Sequence, residues 1–139
     1  MSARSKARKR ALDVLYASDV RGQSLSVALA DAAQRAAAEP QRAASWAYAR
    51  DIIDGVIEHA DEIDQLIVEH AHGWTLQRMP AVDRALLRLA TWELRFNDEV
   101  DAAVAINEAV ELAKELSTDD SARFVNGVLD AILKTSAGD

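Results

Sequence analysis

The apolar positions of the chain recur every three or four residues in seven separate stretches, the period of one face of an α-helix. The first covers about residues 6–20, with Ala7, Ala11, Val14, Leu15 and Ala17 on one side and Gly22 as its stop. The second, over 24–39, is alanine-rich, a narrow stripe from Leu25, Ala28 and Leu29 to Ala32, Ala33 and Ala36 that Pro40 ends. Trp46, Ala49, Ile52, Ile53, Val56, Ile57 and Ala60 predict a strong third helix over 43–60. Asp61 can cap a fourth, in which Ile63, Leu66, Ile67 and His70 keep the spacing. Gly73 and Trp74 then break the register, and residues 75–80 read as a connector.

The second half of the chain opens on a helix over 81–97 with apolar residues on two sides, Val82, Ala85, Leu86, Leu89, Trp92 and Phe96 on one and Leu87, Ala90 and Leu94 on the other. So wide a coverage implies burial on both, hence a position between the two halves. Its polar remainder, Asp83, Arg84 and Arg88, reads as a solvated strip with local ion pairs. Asp101 can cap a sixth helix, whose apolar face runs from Ala105 and Ala109 to Leu112 and Leu116. Ser117, Thr118, Asp119 and Asp120 follow as a polar turn able to accept hydrogen bonds from the free amides of a seventh helix start. That helix carries Val125, Val128, Leu129 and Ile132, with Phe124 at the border of the stripe, either core or contact surface. Gly127 inside it costs about 1 kcal/mol relative to alanine, which points to close approach of another backbone, with the neighbouring Asn126 amide bonded inside the fold. The final TSAGD has no core pattern and is expected to fray.

Composition supports an all-α fold. Half of the 139 residues are apolar while Gly (5) and Pro (2) are scarce. The expected architecture is about seven helices in two small packed bundles sharing a buried fifth helix, one domain over 1–139 with halves at about 1–73 and 81–135 and a connector at 74–80. There is no cysteine, so no disulfide framework, thiolate metal site or cysteine nucleophile. His59, His70 and His72 lack the spacing of a helical metal pair, and no cofactor or metal is expected. No run approaches the roughly 20 apolar residues of a membrane span, and Asp13 and Asp19 interrupt any signal-peptide core. The expectation is a soluble cytoplasmic protein.

The net charge of -7 conceals an asymmetry. Arg4, Lys6, Arg8, Lys9 and Arg10 stand in the first ten residues without an acid, leaving 11 of the 16 basic side chains against all 23 acidic ones in the rest. Arg8, Lys9 and Arg10 spread around the helix axis, so at least two should reach solvent. Cations at a helix N-terminus oppose its dipole, a local conflict expected where charge serves a ligand. Phosphates attract such an arm whatever their sequence, while the acidic body suits a basic partner. Tyr16 follows the arm, as core or as a protein contact.

INEAVELAKELSTDDSARFVNGVLD resembles the C-terminal signature of the transcription antitermination factor NusB family, and the resemblance extends to ARKRALDVLYASD and MPAVDRALLRLATWEL. The family commonly has proline, followed closely by lysine, where this chain has Asp101 and Ala103, which removes one candidate RNA contact. The resemblance implies a non-catalytic, all-helical protein that binds boxA-like single-stranded RNA and pairs with the ribosomal protein NusE. It acts with RNA polymerase in an antitermination complex on ribosomal RNA operons. It places Arg4, Lys6, Arg8, Lys9 and Arg10 on RNA phosphates, Asp120, Arg123 and Phe124 at a second RNA contact, and Tyr16 and Asp83 at the NusE surface. Two alternatives remain: a helical interaction module or homodimer without direct RNA binding, and an accessory of an RNA methyltransferase. The second is disfavoured by the missing cysteine and glycine-rich strand-turn-helix motif.

Overall fold

Hydroxyl caps mark where the first two helices begin. The Ser2 hydroxyl accepts from the Ser5 amide at 3.1 Å and Ser24 accepts from Val27 at 3.2 Å, so α1 spans Ala3–Arg21 and α2 spans Leu25–Ala37. Helix α1 thus starts three residues before its apolar stripe, and Gly22, at φ 65°, ends it. Pro40 stops α2 and opens a 3-10 turn, Pro40–Arg42. The computed structural model describes residues 2–137; among these the remaining helices are α3 (Ala43–Glu58), α4 (Ala60–His70), α5 (Ala81–Phe96), α6 (Ala102–Leu116) and α7 (Asp119–Ala137), with a second 3-10 turn at Leu76–Arg78 and no strand.

The boundaries hold to within a few residues of the periodic reading, and the differences are local. α3 and α4 divide at His59, whose ring stacks on Phe96 with centroids 3.8 Å apart, and Asp61 lies in the first turn of α4 instead of capping it. Asp101 occupies the cap position of α6 without a side-chain hydrogen bond, whereas Thr118 caps α7 through the Ser121 amide at 3.0 Å. Helix α7 runs to Ala137, further than the expected fraying allowed, and the last two residues lie outside those described.

Helix α5 packs against α1, α3, α4, α6 and α7, while α2 packs on α1 and α3. Every α5 residue from 83 to 93 is buried except Arg84 and Arg88, as its double apolar face requires. Ile52, Ile53, Ile63, Ile67, Leu86, Leu87, Val125, Leu129 and Ile132 belong to one continuous buried cluster. Gly55 shows how closely α3 approaches α5: a Cβ there would sit 1.9 Å from the Trp92 Nε1. The expectation for Gly127 is overturned. Nothing lies within 4 Å of where its Cβ would be, Asn126 is exposed, and no packing contact explains the glycine.

Arg84 and Arg88 are not a solvated strip either. The Arg84 Nε donates to Asp19 Oδ2 at 2.5 Å and its Nη1 to the carbonyls of Leu76 and Met79 at 2.7 and 3.1 Å. That guanidinium ties the connector to α5 and to the end of α1. Arg88 grips the Asp64 carboxylate with two bonds, at 2.9 and 3.2 Å, joining α5 to α4.

The largest departure is Arg8. It is only 3% exposed and donates from Nε and Nη2 to both oxygens of the buried Glu93, at 2.9 and 3.0 Å. The Tyr48 hydroxyl donates to the same carboxylate at 2.5 Å and accepts from Asn97 at 2.9 Å, and Glu108 lies 3.6 Å from Arg8 on the α6 side. Burial alone would lower the Arg8 pKa, but its hydrogen bonds to Glu93 and the surrounding negative charge carry it above its ordinary value. Burial and Glu93 together push the Tyr48 phenol well up, so it stays a donor. Removing one partner of such a pair strands a buried charge. Arg8→Ala is expected to lose about 3–5 kcal/mol in chemical denaturation, most of it recovered when Arg8→Met is combined with Glu93→Leu. Unchanged stability of the single variant would show that the pair does not hold α1 in place.

Candidate nucleic-acid interface

The remaining arm cations are arranged by the burial of Arg8. At 100° per residue, Lys6 and Arg10 fall on the side of α1 opposite Arg8 and Lys9 falls at the flank. Lys6, Lys9 and Arg10 line a cleft of about 530 Å³ closed on the other side by Gln41, Arg42 and Ser45. Arg10 donates to the Ser45 hydroxyl at 2.9 Å and the Arg42 carbonyl at 3.1 Å, and its guanidinium lies 5.5 Å from the Trp46 ring centroid. Burial and then the neighbouring Arg42 charge lower its pKa. Arg42, on the 3-10 turn, is a cation of this cleft that the periodic reading passed over. Its place after Pro40 was the available sign.

Two arm residues are held by acids of the other half. Arg4 pairs with Glu99 at 3.3 Å and lies 4.9 Å from the Tyr48 ring centroid. Lys9 donates to Glu115 at 2.6 Å, and that hydrogen bond raises its pKa. Both are exposed pairs open to solvent screening, so a phosphate can displace the carboxylate. Arg8 cannot be offered in this way, and the expectation that it meets phosphates is withdrawn.

The Lys9–Glu115 pair sets the arm against the last turn of α6, which leads directly into the polar turn. There the Ser117 and Thr118 hydroxyls both bond the Ser121 hydroxyl, at 2.9 and 3.2 Å. Asp120 and Arg123 form an exposed ion pair one helical turn apart. Phe124 follows, half-buried, packed against the core and in ring contact with Trp74 at a centroid distance of 6.0 Å. It is neither enclosed nor free: one side anchors α7 and the other edges the surface. Trp74, read from sequence only as a break in the register, was missed as a neighbour of this ring.

Tyr16 is 41% exposed, with Val20 one turn on also exposed. Asp83 is the opposite case. Expected on the partner surface, it is 2% exposed and sits beneath the α6/α7 turn, where its Oδ1 has no hydrogen-bond partner. Burial raises its pKa against the hydroxyls of Ser121 and Ser117, which lower it. It supports the turn from below, and the expectation that it meets a partner directly is withdrawn. His70 likewise serves the fold, its ring nitrogens 2.7 Å from the Leu66 carbonyl and 2.9 Å from the Thr135 hydroxyl. Among the described residues no group of three or more His, Cys, Asp or Glu could hold a metal, and no helix is long and apolar enough to cross a membrane.

The scaffold is all-helical, with a cleft lined by Lys6, Lys9, Arg10 and Arg42 together with Asp13, and a capped turn that carries an aromatic ring, a surface chemistry suited to a polyanion. The particular family is settled by comparison: the NusB family model matches residues 5–134, and the chain belongs to the NusB family. It is 63% identical to a transcription antitermination protein NusB from Leifsonia xyli subsp. xyli, over all of this chain and 96% of that one. A second, from Clavibacter sepedonicus, is 61% identical, covering 99% of this chain and all of the relative. A crystal structure of the antitermination factors NusB and NusE in complex with dsRNA superposes with a TM-score of 0.82 at 31% identity, covering 97% of this chain and 98% of that one.

The buried Asp83 gives a pH signature. A carboxyl whose folded pKa lies above its unfolded value favours folding below the unfolded pKa, and that contribution is lost as pH rises through the folded pKa. Asp83→Asn should therefore raise the melting temperature at neutral pH, with the gain shrinking on acidification into the carboxylate range. An equal shift at all pH values would show that Asp83 titrates as if in water.

Proposed function

We propose that this chain is a non-catalytic antitermination factor that binds boxA-like single-stranded RNA together with the ribosomal protein NusE. It does so in the cytoplasm, within the RNA polymerase antitermination complex, and promotes read-through of ribosomal RNA operons. The observation that carries this is the Lys9–Glu115 pair, which ties the basic arm of α1 to the last turn of α6, next to the turn that leads into the Asp120–Arg123 pair and Phe124. A single strand needs a cationic track for its backbone and an aromatic face with a polar neighbour for its bases, and the turn supplies both. The structural relative that holds NusE and dsRNA supports RNA and NusE as the partner classes. Exposed Tyr16 and Val20 on α1, on a protein of net charge -7, suit a basic protein partner.

With Arg8 buried, four arm cations remain. Binding of a boxA-like RNA should follow salt with a slope near -2.8, at about 0.7 per phosphate contact, and replacing Arg4, Lys6, Lys9 and Arg10 by Gln should flatten it. An unaltered slope would remove the arm from the interface. Phe124→Ala should weaken the same binding by about 1–3 kcal/mol, with the fold retained in circular dichroism. Measured with and without NusE, and against a duplex and a scrambled strand, the two variants separate an RNA-binding factor from a helical interaction module or homodimer, which would bind protein without any salt-dependent affinity for RNA.

A further inference from the structure

The turn between α4 and α5 carries a surface that the RNA-binding reading leaves unused. His72 and Gly73 take successive left-handed conformations, φ 50° and 88°, which swing the chain outward before the Leu76–Arg78 turn. Trp74 therefore projects from the surface with 49% of its area exposed, a large apolar ring held in water. Its ring makes contact with Phe124, at 6.0 Å between centroids and 59° between planes. His72, Gly73, Trp74 and Arg78 together line an open hollow of about 590 Å³.

We propose that Trp74 is a second nucleobase platform beside Phe124, and that this hollow seats one unpaired nucleotide of a single-stranded RNA with Arg78 on its phosphate. The two rings touch each other at an angle, so no base fits between them. Each offers its outer face instead, which suits successive bases of a strand that turns at this point. The lining also selects the occupant. It contains an aromatic ring, an imidazole and a guanidinium, and neither an aliphatic nor an acidic side chain, on a protein whose net charge is -7. An apolar helix or strand of a protein partner would find no aliphatic groove to fill, whereas a base and its phosphate find a stacking surface and a charge-assisted donor. The RNA track then runs from the α1 cleft across the α6/α7 turn to the α4–α5 turn.

The inference rests on the RNA-binding function proposed above, and the test separates the two. Affinity for a labelled boxA-like single-stranded RNA is measured for Trp74→Ala, Trp74→Phe, Arg78→Gln and Phe124→Ala, each in the full chain and with its fold checked by circular dichroism. Trp74→Ala is expected to weaken binding about tenfold or more, Trp74→Phe to stay within about threefold of the parent, and Arg78→Gln to reduce the salt slope by about 0.7. Parental affinity in Trp74→Ala alongside a loss in Phe124→Ala overturns the second platform and leaves the RNA function standing. A folded Trp74→Phe as weak as Trp74→Ala overturns stacking as the cause. Loss of NusE affinity with RNA affinity intact assigns the hollow to protein, and no change in any variant, with a salt slope near zero, removes both readings.

Discussion

A guanidinium and a carboxylate withdrawn from water together fix the rotation of α1, and the functional surface depends on that rotation. Arg8 and Glu93 are 85 residues apart and almost wholly buried, so neither can leave its place without stranding the other. Tyr48 from α3 and Glu108 from α6 close the same cluster, which makes it the point where four helices agree on a register. Once Arg8 faces inward, helical geometry puts Lys6 and Arg10 on the opposite side and Lys9 beside α6. Sacrificing Arg8 to the interior thus aims Lys6, Lys9 and Arg10. A helix whose five positive charges were all solvated would have nothing polar to choose which of them faced the cleft.

A similar use of buried polarity holds the second part of the surface. Asp83 lies under the α6/α7 turn against Ser117 and Ser121, and the Thr118 hydroxyl caps α7 by accepting from the Ser121 amide. Such a turn keeps few conformations, so Asp120, Arg123 and Phe124 are presented at fixed offsets on the first turns of a helix. The cost is a carboxylate oxygen buried without a hydrogen-bond partner.

Helix periodicity was enough to place all seven helices and to mark α5 as buried on two sides, because apolar spacing is a local signal that tertiary packing reinforces. It was enough to set Phe124 at a border, where the structure puts it. It failed wherever a charged residue found its partner far along the chain. Arg8, Asp83, Arg84 and Arg88 all read as solvated, since their partners, at positions 93, 117 and 121, 19, and 64, carry no trace in local sequence. Gly127 erred the other way: a helix glycine argued for close packing and has open space instead. Trp74 was passed over because a residue that interrupts a periodic pattern looks like punctuation, and its contact with Phe124 exists only once the α4–α5 turn folds back on α7.

The surface cations are engaged before any ligand arrives, and this shapes how the protein must bind. Arg4, Lys9 and Arg123 each hold an exposed carboxylate, from Glu99, Glu115 and Asp120. On the function proposed, a phosphate would exchange with a carboxylate, at little cost because exposed pairs are screened by solvent. The displaced acids, however, stay within a few ångströms of the incoming polyanion and repel it, at distances shorter than the roughly 8 Å screening length of physiological salt. On the function proposed, affinity for RNA alone would be held down by the same residues that organise the surface in its absence. A basic protein docked nearby would neutralise part of that acidity and raise RNA affinity without touching the RNA, and linkage requires RNA to raise the affinity for that protein by the same factor. On the function proposed, the acidic body and the basic arm would in this sense act as one device, weak toward either partner and stronger toward both.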